Sequence, residues 1–330
     1  MKTDRITISH IARELNISSV SVSRALSGKD GVSDDLRVQI LEKAREMGYT
    51  KSQISLSPRI LVLHREPYKK DNSNFSLMVQ GMEKALRKVE ADYHFEFIDQ
   101  NSQLRSILPY KLSKGAKFDG VVMLGRFRLD YASFIHGKIP NLIFYTGYSP
   151  AYDYDSVWFS FIHSGYRQTE YLLEKGHRDI GFLGNFTFYR NKERLVGITS
   201  ALEEREIPVN HDFFVDTGKQ YPERLEEMIL QKKLPSAFIC DFDFTAIELI
   251  QLLYSHKINV PQDISVMGSG NTDMAPLSIP ALTSLDLHIE YACEVAIATL
   301  MKRISRPDKP SENIAVLSTI VERDSVRSLL

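Results

Sequence analysis

Along the first fifty residues the apolar positions recur at helical spacing. Ile8, Ile11, Ala12 and Leu15 fall at i, i+3, i+4 and i+7, one apolar stripe, and Thr7 stands where a capping residue belongs. Asn16-Ile17 interrupts that helix. Ser18 then caps a second one, predicted over Ser19–Leu26, with Val22, Ala25 and Leu26 facing inward. Ser27-Gly28-Lys29-Asp30-Gly31 reads as a loop. Ser33 caps a third helix with Leu36, Ile40, Leu41, Ala44 and Met47 on its apolar side. Asp34 and Asp35 sit at its positive end, and Gly48 offers a left-handed stop. From Arg59 onward the pattern changes. Strand candidates are Ile60–Leu63, His94–Ile98, Val121–Leu124, Leu142–Tyr145, Ile180–Leu183, Ala237–Cys240 and Ile264–Met267. Ile60–Leu63 is continuously apolar, as a strand buried on both faces should be. Helical stretches lie between most of these strands: Ser73–Lys88, Ser164–Glu174, Arg190–Glu204, Pro222–Gln231, Phe244–His256 and Glu290–Ile304. Such alternation implies parallel sheets covered by helices, and the strands are too many for one compact sheet, so two α/β subdomains are expected.

Composition narrows the class. A chain of 330 residues, 43% hydrophobic and 25% charged, is globular and long enough for two to three domains. Two cysteines, Cys240 and Cys293, can build neither a disulfide framework nor a cysteine-rich zinc site, and a reducing cytoplasm is expected. The start, Met1-Lys2-Thr3-Asp4-Arg5, leads into no long apolar run, and no stretch approaches the ~18–20 apolar residues of a membrane span. Neither a signal peptide nor a membrane partner is expected. The net charge of −1 is uninformative, but its distribution is not. Residues 1–59 hold ten Lys/Arg against seven Asp/Glu, and the remaining 271 hold thirty-one against thirty-five. A basic head on an acidic body points to a nucleic-acid module.

Two helices joined by a tight turn, the second with small polar residues outward, describe a helix-turn-helix. The outer face is Ser19, Val20, Ser21, Ser23 and Arg24. Short hydroxyls allow close approach to phosphates, Arg24 can reach a phosphate or a guanine edge, and Val20 suits a thymine methyl. A three-helix bundle with a solvated serine face explains the same pattern. The residue string goes further. Ile6-Thr7-Ile8-Ser9-His10-Ile11-Ala12, then Ile17-Ser18-Ser19-Val20-Ser21-Val22-Ser23-Arg24-Ala25-Leu26-Ser27-Gly28, then Val32-Ser33 and Met47-Gly48-Tyr49 closely resemble the head of the LacI/GalR family of transcription regulators. The resemblance implies that Ser19 and Val20 choose operator bases and that Arg24 is the recognition-helix arginine. It also implies that Thr7, Ser9, Ser21, Ser23 and Ser33 position phosphates. In many members the stretch after the head folds into a helix whose leucine wedges into the minor groove. Here the linker, 50–58, is short and lacks the family's alanines; Leu56 is the candidate wedge, and an extended tether is the other reading. This short linker loosely resembles that of members controlling galactoside use.

The resemblance continues in Gly176-His177-Arg178-Asp179-Ile180, Arg194-Leu195-Val196-Gly197, Val260 to Gly268, Pro280-Ala281-Leu282-Thr283-Ser284 and Val321-Glu322-Arg323-Asp324-Ser325. It implies a helix-turn-helix head (1–49), the hinge (50–58) and a periplasmic-binding-protein-like core (59–330) of two doubly wound parallel-sheet subdomains. The N-subdomain is expected over about 59–159 plus 288–320, and the C-subdomain over about 160–287 plus 321–330. The core is expected to form a homodimer, pairing near Ser73–Lys88 and Glu290–Ile304, and to close on a small sugar effector. The implied function is a repressor released by that sugar from a palindromic double-stranded DNA operator. Other readings are a global regulator governed by a phosphorylated carrier protein, or a sugar-binding protein that is not a repressor.

In such sheets ligands sit beyond the carboxyl ends of the strands, where polar groups fix hydroxyls and an aromatic underlies the ring. Arg194 corresponds to the family's sugar-binding arginine. His64 and Arg65 end the first strand, Asn74 and Phe75 open the next helix, and Tyr145 ends another strand. Phe159, at the expected subdomain crossing, competes with Trp158 as the stacking aromatic. Where members often have Asn-Asp, this chain reads Asp241-Phe242-Asp243, so Phe242 offers a platform and Asp243 a carboxylate; Asn271 stands in for a usual acid. Asp241 and Asp243 could form a glycosidase pair, or simply a solvated strand-end pair. No His-Glu-x-x-His, Gly-Lys-Ser/Thr or Gly-x-Ser-x-Gly motif occurs, and Gly268-Ser269-Gly270 lacks the third glycine of a dinucleotide loop. No enzyme, metal or cofactor is expected.

Overall fold

The computed structural model describes residues 6–26, 31–47, 49, 57–65, 75–147, 153–219 and 221–330. The chain separates into two compact units, residues 1–59 with 89–92 and residues 60–88 with 93–330.

The first unit contains α1 (Ile8–Glu14), α2 (Ser19–Leu26) and α3 (Asp34–Glu46). Ile11, Ala12, Val22, Ala25, Leu26, Ile40, Leu41 and Ala44 form one buried cluster, each from the apolar stripe of its helix. The Ser21 N–H donates to Ser18 Oγ at 3.0 Å, and the Leu36 N–H to Ser33 Oγ at 3.4 Å. These serines satisfy donors that a helix start leaves unpaired.

The second unit carries two six-stranded sheets. Strands β1 (Arg59–Arg65), β2 (Asp92–Ile98), β3 (Gly120–Leu124), β4 (Leu142–Tyr145) and β5 (Asp155–Phe159) build the first. Strands β6 (Ile180–Gly184), β7 (Phe214–Asp216), β8 (Ala237–Cys240), β9 (Ser265–Ser269) and β10 (Thr283–Asp286) build the second. The chain then returns, adding β11 (Asn313–Val316) beside β5 and β12 (Thr319–Val321) beside β10. The orders are β11-β5-β4-β3-β1-β2 and β12-β10-β9-β8-β6-β7. The pairs β1–β3, β3–β4, β4–β5, β5–β11, β6–β7, β6–β8, β8–β9 and β9–β10 are parallel, and β10–β12 is antiparallel. The last crossing is Leu317-Ser318, so Thr319 and Ile320 belong to the second sheet rather than the first.

Helices cover both sheets: α4 (Phe75–Lys88), α5 (Gln100–Leu104), α6 (Tyr110–Ser113), α7 (Leu129–His136), α8 (Phe161–Glu174), α9 (Tyr189–Glu204), α10 (Tyr221–Leu230), α11 (Asp243–Ser255) and α12 (Ile289–Ser305). Helices α4 and α12 pack against each other within the chain, Gly81 lying against Cys293, with Lys84–Glu290 and Lys88–Glu294 ion pairs along the exposed edge. Strands β5, β7, β10, β11 and β12 were not among the sequence candidates. Most of them are short and carry polar residues whose partners lie far along the chain. Buried Asp155, at the start of β5, accepts from Arg303 Nε at 2.8 Å and Lys309 Nζ at 2.6 Å. No helix among the described residues is long and apolar enough to cross a membrane.

Candidate functional site

In the head, α2 turns Val22, Ala25 and Leu26 inward, which leaves Ser19, Val20 and Arg24 exposed on its outer side. Val20 is 62% exposed, an apolar side chain held in water. Thr7, Ser9 and Ser33 are also exposed, and Ser21 and Ser23 are half-buried. Two hydroxyls already have work within the head: Ser33 caps α3, and Ser21 Oγ lies 2.9 Å from Ser18 Oγ. The wedge candidate Leu56 lies outside the described residues, as does most of the linker.

In the core, a cavity of about 330 Å³ opens where the carboxyl ends of strands from both sheets converge. This is at the lower end of the ~300–1,000 Å³ of small-molecule sites. The first sheet contributes His64 and Arg65 at the end of β1, Gly125 and Arg126 after β3, and Trp158 and Phe159 from β5. The second contributes Phe188, Tyr189, Arg190, Glu193 and Arg194 around the start of α9, and Asp241 and Phe242 after β8. Phe75 and Met78 from α4 and Phe161 from α8 complete much of the wall.

Arg194 is 1% exposed. Its Nη1 donates to the Asp241 carbonyl at 3.2 Å and to Asn191 Oδ1 at 3.4 Å, and its Nε has no hydrogen-bond partner among the described residues. The guanidinium lies 5.4 Å from the Phe161 ring centre. Burial pulls its pKa down to about 10, partly offset by Asp241. The Asp241 carboxylate is held in place: it accepts from the Asn185 N–H at 3.2 Å, Asn191 Nδ2 at 2.8 Å and Thr245 Oγ1 at 2.9 Å. Arg190 stands over two rings, 4.5 Å from Phe188 and 4.4 Å from Phe242. At the rim, Arg126 from the first sheet stands 4.3 Å over the Tyr189 ring of the second. Burial raises the Glu193 carboxyl above its ordinary value, with Tyr189 and Arg126 opposing. His64 is packed edge-on by Phe75 at 4.3 Å and Phe97 at 5.4 Å, and burial lowers it to about 4. The imidazole is therefore neutral at physiological pH.

The structure brings His64, Arg65, Phe75, Phe159, Arg194 and Phe242 to the cavity wall. Three residues expected there lie elsewhere. Tyr145 points into the core, donating to the Ile289 carbonyl at 3.2 Å, because the fully buried β4 leaves its last side chain facing α12. Asp243 is spent on the Thr272 N–H at 2.7 Å, Thr272 Oγ1 at 2.9 Å and Ser284. Asn271 bridges Arg323 Nη2 at 2.7 Å and Asp286 at 3.0 Å. Asp241 and Asp243 are both buried, not solvated. Asn74 lies outside the described residues. Arg126, Tyr189, Arg190 and Glu193 were missed, since a polar helix start and a charged loop look like solvated surface. Among the described residues no group of three or more His, Cys, Asp or Glu could hold a metal ion.

A family model of the periplasmic binding protein-like domain matches residues 169–326. The probable HTH-type transcriptional repressor ExuR of Bacillus subtilis (strain 168) is 25% identical, over 98% of this chain and 99% of the relative. The ribose operon repressor of Haemophilus influenzae (strain ATCC 51907 / DSM 11121 / KW20 / Rd) is also 25% identical, with the same coverage. The crystal structure of the lac repressor dimer bound to operator and the anti-inducer ONPF covers 98% of this chain and all of that chain, with a TM-score of 0.69 at 17% identity, a likeness of fold. The curated relatives are transcriptional repressors, regulators rather than enzymes.

Proposed function

From the premise that this chain belongs to the LacI/GalR family of transcription regulators, we propose that it is a repressor released from a palindromic operator by a small sugar. The observation that carries this reading is Arg194, a buried guanidinium on the wall of an aromatic-lined cavity, with a donor left unfilled. Buried polar groups are normally hydrogen-bonded, so an unfilled donor at a cavity wall belongs to a site that is completed by a ligand. Sugar hydroxyls accept such bonds, and the surrounding rings suit the apolar face of a pyranose or furanose.

On the DNA side, Ser19 and Val20 of α2 select bases while Arg24 and the hydroxyls of Thr7, Ser9, Ser21, Ser23 and Ser33 hold the backbone. A single head reads one half-site; two heads on a homodimer read half-sites about 34–36 Å apart. Fluorescence anisotropy of a labelled operator, titrated with protein in the presence and absence of sugar, tests the reading. The sugar weakens operator binding of the wild type, and Arg194→Ala stays on DNA at every sugar concentration. Release of Arg194→Ala by sugar at the wild-type midpoint would remove the cavity from the switch.

A further inference from the structure

We propose that the effector is an anionic carbohydrate, a sugar bearing a carboxylate or a phosphate, with its charged group held by the arginines of the cavity wall. The inference rests on the cavity being the effector site. Four arginines, Arg65, Arg126, Arg190 and Arg194, line that cavity against two carboxylates, Glu193 and Asp241. Asp241 is already engaged by Asn185, Asn191 and Thr245. Sequence that flanks the wall does not cancel the excess. Between Arg65 and Phe75 the chain has Glu66 and Asp71 against Lys69 and Lys70, and residues 148–152 carry no charge.

The form of the cations matters as much as their number. Arg190 and Arg194 stand four residues apart on α9, so they leave the helix on one face. Rings over the Arg190 guanidinium take up its π surface, so its hydrogen bonds run in the guanidinium plane. Neither Nη1 bond of Arg194 goes to a carboxylate. A guanidinium taken out of water calls for a counter-charge; the nearby Asp241 carboxylate supplies part of it through space, and the neighbouring Arg190 cation works against it. A neutral sugar supplies acceptors but no compensating charge. A carboxylate or phosphate supplies both, presenting a pair of oxygens that the arginine fork matches. Trp158 and Phe161, also on the wall, present aromatic rings to a sugar.

Isothermal titration of the full chain tests this with four ligand sets: neutral sugars including galactosides, the corresponding uronates, sugar phosphates, and inorganic phosphate alone. An anionic sugar should bind at least about tenfold tighter than its neutral parent, with an advantage that shrinks as salt rises. The uronate and phosphate arms decide which anion it is. Arg190→Gln should erase about ten- to hundredfold of that preference, the worth of one charge-assisted bond. A melting curve checks that the variant is folded, and Arg126→Gln at the exposed rim gives a second, smaller loss of preference. A neutral sugar that binds as tightly as its anionic counterpart overturns the inference and leaves a sugar-released repressor standing. Inorganic phosphate binding as well as the sugar phosphates overturns the carbohydrate. If no sugar of any class binds, both this inference and the reading beneath it fall.

Discussion

Charges withdrawn from water leave marks that titration can read. His64 is the clearest case, held at about 4 by burial, with Phe75 and Phe97 against its ring. In the unfolded chain it titrates near 6.5. Between those values the unfolded chain takes a proton that the folded chain refuses, so stability falls as pH drops through the window. At about 1.4 kcal/mol per pH unit the loss approaches about 3 kcal/mol by pH 4. Urea midpoints measured from pH 7.5 to 4.5 should therefore fall, and His64→Phe should flatten part of that slope. An unchanged slope in the variant would mean that His64 titrates freely in the folded protein. Much at this scale was legible in the sequence because the family landmarks are structural. His177 of the Gly-His-Arg run links Ser236 at 3.0 Å to the Arg327 carbonyl at 3.1 Å, and Arg323 donates to the Leu282 carbonyl at 2.7 Å. What a strand-end position does not reveal is the direction in which its side chain turns, which is why Tyr145, Asp243 and Asn271 were expected at the wrong surface.

Between elements, the closest approach that bears on the cavity is that of α8 and α9. A Cβ on Gly197 would lie 1.9 Å from the Ile162 carbonyl oxygen, and one on Gly165 would lie 2.2 Å from that of Arg194. The two helices touch backbone to backbone, and the contact fixes the turn from which the Arg194 side chain leaves. Gly197→Ala must push them apart. Such overpacking costs about 1–3 kcal/mol and should lower Tm by roughly 2–10 °C. It should also weaken effector binding more than operator binding, as paired titrations would register. A Tm within a degree of wild type would show that the helices separate without cost. Gly197 was visible in the sequence as part of Arg-x-x-Gly; its partner Gly165 was not, because no periodicity marks which glycine faces a neighbouring helix. The same limit applies to strands. Apolar β3 and β4 announce themselves, whereas β10 opens with Thr283 and Ser284, buried polar residues whose partners, among them Asp243, Arg323 and Ser325, lie about forty residues away in the chain.

At the scale of the whole molecule, the cavity lies between two sheets joined by chain crossings, and the head is a separate unit. On the proposed reading, sugar and operator influence each other through conformation, because the cavity belongs to one unit and the recognition helix to the other. Linkage makes the effect reciprocal: if sugar weakens operator binding by some factor, typically ~5–150-fold, operator weakens sugar binding by the same factor. Operator titrations with and without saturating sugar, and sugar titrations with and without operator, should give equal ratios; unequal ratios would exclude a single linked equilibrium. The return of the chain to both sheets has a further consequence, for the order in which the protein comes off the ribosome. The apolar cluster of the head draws only on residues 6–49. Each sheet, by contrast, receives its last strand after residue 312, and α12, which packs on α4, begins at Ile289. During synthesis the reading head is ready while neither half of the body can close. A nascent chain stalled near residue 285 would thus present a folded helical head on a body without α12, β11 and β12, open to proteases.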